Sequence, residues 1–296
     1  MKHDPIIISV INQKGGVGKT STCQHLSAPL VDRDLRVLLV DMDPQANLTQ
    51  GFFGSQQTAN LAWQQTVASL FVDDLDPEPD DLIVSTPVAG VSIVPGSWEL
   101  NKFDFPQPTL QGDYQLSLRF FVEEVKDAFD VILIDCRPTL NLLSWNALLA
   151  SEFVLVPFQP EDYGVQGVVH IQQIIDEAIA GPNPKLRLLG YLLNKVTRRS
   201  LHKTFESVLR NYYCDDVFTV TIPDATHYPE AVSHRLPVGR YKKRGKAVES
   251  MNMLCEELLT RVKRIREQPP TYLYPGNKNG TDTTVDTPQH ELGKAG

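Results

Sequence analysis

Short apolar runs recur along the chain between longer stretches with helical spacing. The runs cover residues 6–11, 37–40, 91–94, 131–134, 153–156, 186–193 and 217–222. Each is nearly continuous Val, Ile and Leu, not an alternation of apolar and polar positions. Strands covered on both faces read this way, as in a parallel sheet between layers of helix. The helical stretches cover 21–32, 114–128, 140–150, 165–180, 203–212 and 246–266. This alternation predicts an α/β fold, a single doubly wound and mostly parallel sheet flanked by helices. Residues 55–113 are less regular, and the acidic, proline-broken stretch 73–81 reads as a solvated connection. No internal repeat marks a second domain. One domain over 1–267 and a disordered tail over 268–296 are expected, because the tail is rich in Pro, Gly, Thr and Asn and poor in apolar residues.

Composition narrows the class without naming a chemistry. The 296 residues are 42% hydrophobic and 22% charged, ordinary for a globular protein. No run of about 18 apolar residues is present, so no membrane-spanning helix is expected. The N-terminus enters the first strand at once, so neither a signal peptide nor a helix-turn-helix extension is expected. Cys23, Cys136, Cys214 and Cys255 are far apart and form no Cys-x-x-Cys pair. Free, buried thiols in a reducing cytoplasm are the expectation. The seven histidines show no metal-ligand spacing. The net charge of −8 hides an asymmetry: residues 185–266 hold 17 Lys/Arg and only 8 Asp/Glu. A basic third in an acidic chain offers a local footprint to a polyanion.

The densest chemistry follows the first apolar run. Lys14-Gly15-Gly16-Val17-Gly18-Lys19-Thr20 joins a predicted strand to a predicted helix that opens with Ser21. Backbone N–H groups of such a turn point inward, and the helix N-terminus adds partial positive charge, so the turn cradles phosphate. Lys19 is placed to reach the β and γ phosphates, and the Thr20 hydroxyl to bind Mg²⁺. The standard pattern wants glycine where this chain has Gln13, and it carries a second lysine, Lys14, at the entrance. One lysine suffices for one nucleotide, so the second needs its own explanation.

Two further apolar runs end in carboxylates. Asp41-Met42-Asp43-Pro44-Gln45-Ala46-Asn47 closes one, and Asp135 closes the run 131–134. Ligands bind at the carboxyl edge of open α/β sheets, and carboxylates there support Mg²⁺ directly or through water. Each aspartate alone could be a helix cap or turn residue. Three converging on a phosphate loop point to phosphoryl chemistry.

Together with Ile134-Asp135-Cys136, these segments resemble the nucleotide motifs of the ParA/Soj partition ATPases, in the deviant-Walker superfamily that includes MinD. Ile222-Pro223-Asp224, Glu230-Ala231-Val232-Ser233-His234 and Pro237-Val238 are similar too, and the likeness runs over roughly residues 5–265. It implies a P-loop NTPase that binds ATP or ADP with Mg²⁺ through Lys14, Gly15, Gly16, Val17, Gly18, Lys19, Thr20 and Ser21. It implies that Lys14 reaches across a nucleotide-sandwich homodimer to the partner's phosphate. Asp43 then positions or polarises the attacking water, while Asp41 and Asp135 support the metal. Asn194 and Pro223-Asp224 match the adenine side. The chain departs from the pattern at Arg137-Pro138, where relatives usually carry a small residue or proline. Arg137 could reach a phosphate or pair with a neighbouring acid.

The resemblance also gives the basic third a use. Relatives bind nonspecific DNA as ATP dimers through this region. Arg240, Lys242, Lys243, Arg244 and Lys246 crowd one stretch, and Arg198, Arg199, Lys203 and Arg235 are candidates for the same face. Cations that neutralise phosphates release counterions, so binding is sequence-independent and salt-sensitive. Arg261, Lys263, Arg264 and Arg266 carry less weight, since cations at a helix C-terminus suit its dipole anyway. The expected function is a cytoplasmic, nucleoid-associated dimerising ATPase that positions a DNA or protein cargo. A ParB-like or cargo-adaptor protein would stimulate hydrolysis. A MinD-like membrane ATPase would call for a C-terminal amphipathic anchor, which polar residues replace here. A metabolic phosphoryl-transfer enzyme of the same superfamily is a further class. A paired-cysteine cluster protein is disfavoured, because only Cys136 lies near the motifs.

Overall fold

A computed structural model describes residues 4–73, 75–160 and 164–268. Residues 269–296 of the expected tail, and the first three residues, lie outside them. The strands are β1 (Ile6–Val10), β2 (Val37–Met42), β3 (Val84–Ser85), β4 (Val91–Val94), β5 (Val131–Cys136), β6 (Phe153–Phe158) and β7 (Arg187–Leu193). They form one sheet in the order β3-β4-β2-β5-β1-β6-β7. Every pair is parallel except the short β3–β4 pair.

The α-helices are α1 (Lys19–Val31), α2 (Asn47–Phe53), α3 (Ser55–Ala59), α4 (Pro79–Leu82), α5 (Ser117–Val125), α6 (Leu142–Ala150), α7 (Gly164–Ala180), α8 (Ser200–Tyr213), α9 (His227–Ser233), α10 (Val238–Tyr241) and α11 (Lys246–Glu267). Successive strand residues point to opposite faces, which splits the core in two. Ile7, Val40, Ile134 and Val156 pack with α5, α6 and α7 on one side. Ile8, Leu39, Leu133 and Leu155 pack with α1, α2 and α11 on the other. The doubly wound sheet is therefore as expected, with each strand of its centre buried on both faces.

Three details differ from the expected pattern. Residues 217–222 do not form a strand: Val217 makes an isolated bridge to Tyr191, and the Phe218 and Ile222 N–H groups donate to the Tyr191 and Leu193 carbonyls of β7 at 2.8 and 2.9 Å, with no continuous ladder between them. The Thr219 and Val220 N–H groups donate to the Glu257 carboxylate at 2.8 and 2.9 Å, which takes two ladder donors away. The acidic stretch closes in α4, where Pro79 takes the first turn and Asp80 and Asp81 suit the helix N-terminus. Cys23, Cys136 and Cys255 are buried thiols, but Cys214 is exposed at the end of α8. Among the described residues, no helix is long and apolar enough to cross a membrane.

Candidate functional site

The ends of β1, β5 and β2 lie side by side. Val10 is in register with Asp135, and Asp135 with Asp41. The turn leaving β1 therefore sits against both carboxylates. Gly16 and Gly18 take φ of 77° and 95°, the left-handed region open to glycine. Gly18 also caps α1. The turn is held from two sides. The Asn12 side chain donates to the Pro157 carbonyl at 2.8 Å and accepts from the Lys14 N–H at 2.9 Å. Asn194, just beyond β7, donates to the Val17 carbonyl at 3.0 Å. A Cβ on Gly18 would lie 2.1 Å from the Asn194 amide nitrogen, so the two segments meet with no spare room.

The two lysines occupy different environments. Lys19 is buried, and its ammonium donates to the Lys14 carbonyl at 3.1 Å. Burial lowers its pKa, opposed most strongly by the Asp135 carboxylate. Lys14 is exposed on the rim, with Gly15 and Gly16 beside it, while Thr20 and Ser21 are half-buried in the first turn of α1.

The carboxylates differ as well. Asp41 is fully buried and already engaged: one oxygen accepts from the Thr49 N–H at 2.9 Å and from the Thr49 hydroxyl at 2.6 Å. Burial raises its pKa to about 6. Its geometry fastens α2 to the end of β2. Asp43 is half-buried and accepts from the Gln45 N–H at 2.9 Å, turning the chain into α2. Ala46 at the N-cap takes φ of 51°, a costly conformation for a residue with a Cβ. Asp135 is fully buried, and among the described residues neither of its oxygens has a well-formed hydrogen-bond partner, the Thr20 hydroxyl being a neighbouring donor. Burial and then Asp41 push its carboxyl well above the usual range, against the nearby Thr20 hydroxyl and Lys19 ammonium.

That orphaned carboxylate beside Thr20 fits a magnesium ion. No three His, Cys, Asp or Glu residues among the described ones are arranged to hold a metal by themselves. The ion would therefore need a nucleotide's phosphates as further ligands.

The remaining candidates fall into two groups. Pro223-Asp224 lies beside Asn194, since the Asp224 N–H donates to the Val196 carbonyl at 3.1 Å. Of the basic residues, Arg198 and Arg199 are exposed after β7 and Lys203 is exposed on α8. Lys242, Lys243, Arg244 and Lys246 are exposed between α10 and the start of α11. Lys242 also sits 4.8 Å from the centre of the Tyr241 ring. Arg240 pairs with Asp32 at 2.8 Å, and the Arg235 guanidinium lies against Gly54 at the end of α2. Arg261 is buried between Glu257 and three backbone carbonyls. Arg266 pairs with Glu152 and the Asp4 and Pro5 carbonyls. Those two cations hold α11 in place. Arg137 pairs with Asp104.

Sequence reasoning missed Thr49, Gly96, Asn12 and Asp104. Each acts through a partner remote in the chain, and none carries a motif of its own.

A family described as an AAA domain matches residues 6–188. The chain is 35% identical over 254 residues to the sporulation initiation inhibitor protein Soj of Bacillus subtilis, covering 85% of this chain and 97% of that one. It is 34% identical over 258 residues to the chromosome partitioning protein ParA of Myxococcus xanthus, covering 86% and 88%. Among solved structures it is similar to cobyrinic acid a,c-diamide synthase of Mycobacterium smegmatis with bound ATP analogue and magnesium. That likeness has a TM-score of 0.73 and 26% identity, over 90% of this chain and 99% of that one. With the phosphate loop and strand-end aspartates in their places, the chain belongs to the ParA/Soj family of P-loop ATPases in the ParA/MinD superfamily.

Proposed function

We propose that this ATPase dimerises on ATP and Mg²⁺, binds DNA without sequence preference and positions a DNA or protein cargo. The observation that carries the reading is the separation of the two lysines: Lys19 is buried inside the loop and Lys14 is exposed on its rim. Lys19 and the loop N–H groups serve the nucleotide of their own chain. Lys14 lies at the outer edge, where a second copy would present its own phosphates. A cation delivered there stabilises charge developing on the γ-phosphate, as an arginine finger does.

Within the site, Thr20 and Asp135 would hold Mg²⁺, with Asp41, in register beside Asp135, supporting it through water, and the ion would neutralise phosphate charge. Asp41 fixes α2 through Thr49, and Asp43 at the start of that turn orients the attacking water. Asn194 and Pro223-Asp224 line the adenine side. Binding of ATP then favours dimers, and hydrolysis releases them. Membership of the family supports cytoplasmic, nucleoid-associated action and stimulation by a ParB-like or cargo-adaptor partner as part of this reading. The exposed run through Lys242, Lys243, Arg244 and Lys246, with Arg198, Arg199 and Lys203, supplies cations for DNA phosphates.

The test is binding to random-sequence DNA with and without ATP across a salt titration, beside sedimentation with anionic liposomes. Salt-sensitive, ATP-dependent DNA binding is expected. No DNA binding with ATP at low salt overturns the reading, and ATP-dependent liposome binding in its place points to a membrane-positioning ATPase.

A further inference from the structure

We propose that Arg137 is a positioning residue for ATP hydrolysis, acting through Asp104 to hold residues 96–105 as a strap across the carboxylate-bearing ends of β2 and β5. The strap starts where β4 ends. The Gly96 N–H donates to the Thr49 hydroxyl at 2.9 Å, and that hydroxyl donates to Asp41 at 2.6 Å. A Cβ on Gly96 would lie 2.8 Å from the Asp41 carboxyl carbon, so only glycine lets the backbone come this close. One end of the strap is therefore closed on Asp41.

Its other end is closed on the segment that follows Asp135. The Asp104 carboxylate pairs with Arg137, two residues beyond Asp135. The next carbonyl, of Phe105, accepts from the Leu142 N–H at 3.0 Å, at the start of α6. Between the ends, Leu100 is fully buried and Phe103 stacks on Phe71 with ring centres 5.7 Å apart. The strap is thus held at both ends and anchored between them by Leu100 and Phe103, with Trp98 and Lys102 exposed on its outer side, and it joins the ends of β2 and β5.

The Arg137–Asp104 pair is the charged fastening of this arrangement. Its side chains are only 17% and 23% exposed. Among the described residues, the second Asp104 oxygen and the Arg137 Nε and Nη1 are buried without a hydrogen-bond partner, so Nη1 meets the Asp104 carboxylate as an ion pair and not as a formed hydrogen bond. A half-satisfied buried pair is a poor source of stability. Its value is geometric: it fixes where the chain runs after Asp135. Releasing it frees the strap at one end and loosens Gly96, Thr49 and Asp41 at the other, two residues from Asp43. Small displacements of a water-positioning group cost turnover more than binding.

The inference rests on the proposed roles of Asp43 and Asp135, so Asp43→Ala runs beside it as a control. Arg137→Ala, Arg137→Lys, Asp104→Asn and the double variant Arg137→Ala/Asp104→Ala are compared for ATP affinity, kcat and thermal unfolding. Arg137→Ala is expected to lower kcat about tenfold or more while changing ATP affinity less than about threefold. Asp104→Asn is expected to lower kcat in the same way. The double variant removes both charges and recovers thermal stability, but not kcat. Arg137→Lys keeps a cation and recovers part of kcat. A folded Arg137→Ala with unchanged kcat, beside an inactive Asp43→Ala, overturns the strap alone. Full kcat in the double variant also overturns it, since the pair would then serve stability only. An active Asp43→Ala overturns the site reading and the strap with it.

Discussion

The side-chain amide of Asn194 donates to the Val17 carbonyl at 3.0 Å, across 177 positions of sequence. The phosphate loop is thereby braced by the far end of β7. Asn194→Ala should cost about 1–2 kcal/mol of stability and, through a looser loop, about tenfold in ATP affinity. Gly18→Ala is more severe. Its φ of 95° is strained for alanine, and the added carbon would sit 2.1 Å from the Asn194 amide nitrogen. A folded Gly18→Ala protein without measurable ATP binding by calorimetry is expected. Wild-type affinity in that variant would remove the bracing argument.

Lys14 and Asp43 separate assembly from chemistry. Lys14→Ala retains ATP binding, because Lys19 and the loop N–H groups are intact, but loses ATP-dependent dimerisation and turnover. Asp43→Ala keeps the ATP dimer and loses turnover. Light scattering with ATP, followed by phosphate release, measures both. Normal dimerisation of Lys14→Ala sinks its role in the partner's site. Rapid phosphate release by Asp43→Ala sinks the water-positioning role.

A buried histidine sets a pH dependence of stability. His25 is fully buried in α1; its Nδ1 accepts from the Val238 N–H at 3.1 Å, and its ring lies 5.0 Å from that of Tyr228. Burial lowers its pKa to about 3. The unfolded chain takes up this proton near pH 6.5 and the folded chain does not. The contribution is therefore complete above pH 6.5 and is lost as the pH falls toward 3, at about 1.4 kcal/mol per pH unit. His25→Asn keeps an acceptor near the Val238 N–H and removes the proton uptake. Denaturant melts of the variant should be less stable at pH 8 but flatter between pH 6.5 and 4. An unchanged slope would assign the acid sensitivity to other groups.

The sheet and the phosphate edge were legible because their signals are local. Continuous apolar runs mark strands buried twice, and Gly18 with Lys19 and Thr20 follows one of them directly. Arg137 stood out as a departure, yet the choice between phosphate and carboxylate rested on Asp104, more than thirty residues earlier in the chain. The run 217–222 reads as a strand by composition, but Glu257 takes two of its N–H groups, which no local pattern shows. Arg261 illustrates the same limit: its burial depends on carbonyls from Leu189, Asp215 and Val217.

The basic stretch after α10 gives the last prediction. Lys242, Lys243 and Arg244 are exposed, whereas Arg240 is held by Asp32 at 2.8 Å. For duplex DNA, each phosphate that a protein neutralises adds about 0.9 to the steepness of log affinity against log salt. If all three exposed cations touch phosphate, replacing them with alanine should flatten the slope by about 2.7 and weaken binding equally on unrelated sequences. Arg240→Ala should change the slope less, because its guanidinium is already shared with a carboxylate. Fluorescence anisotropy on two random duplexes, with ATP and at several salt concentrations, measures both variants. An unchanged slope in the triple variant would move the DNA-facing cations to Arg198, Arg199 and Lys203, at the other end of the basic third.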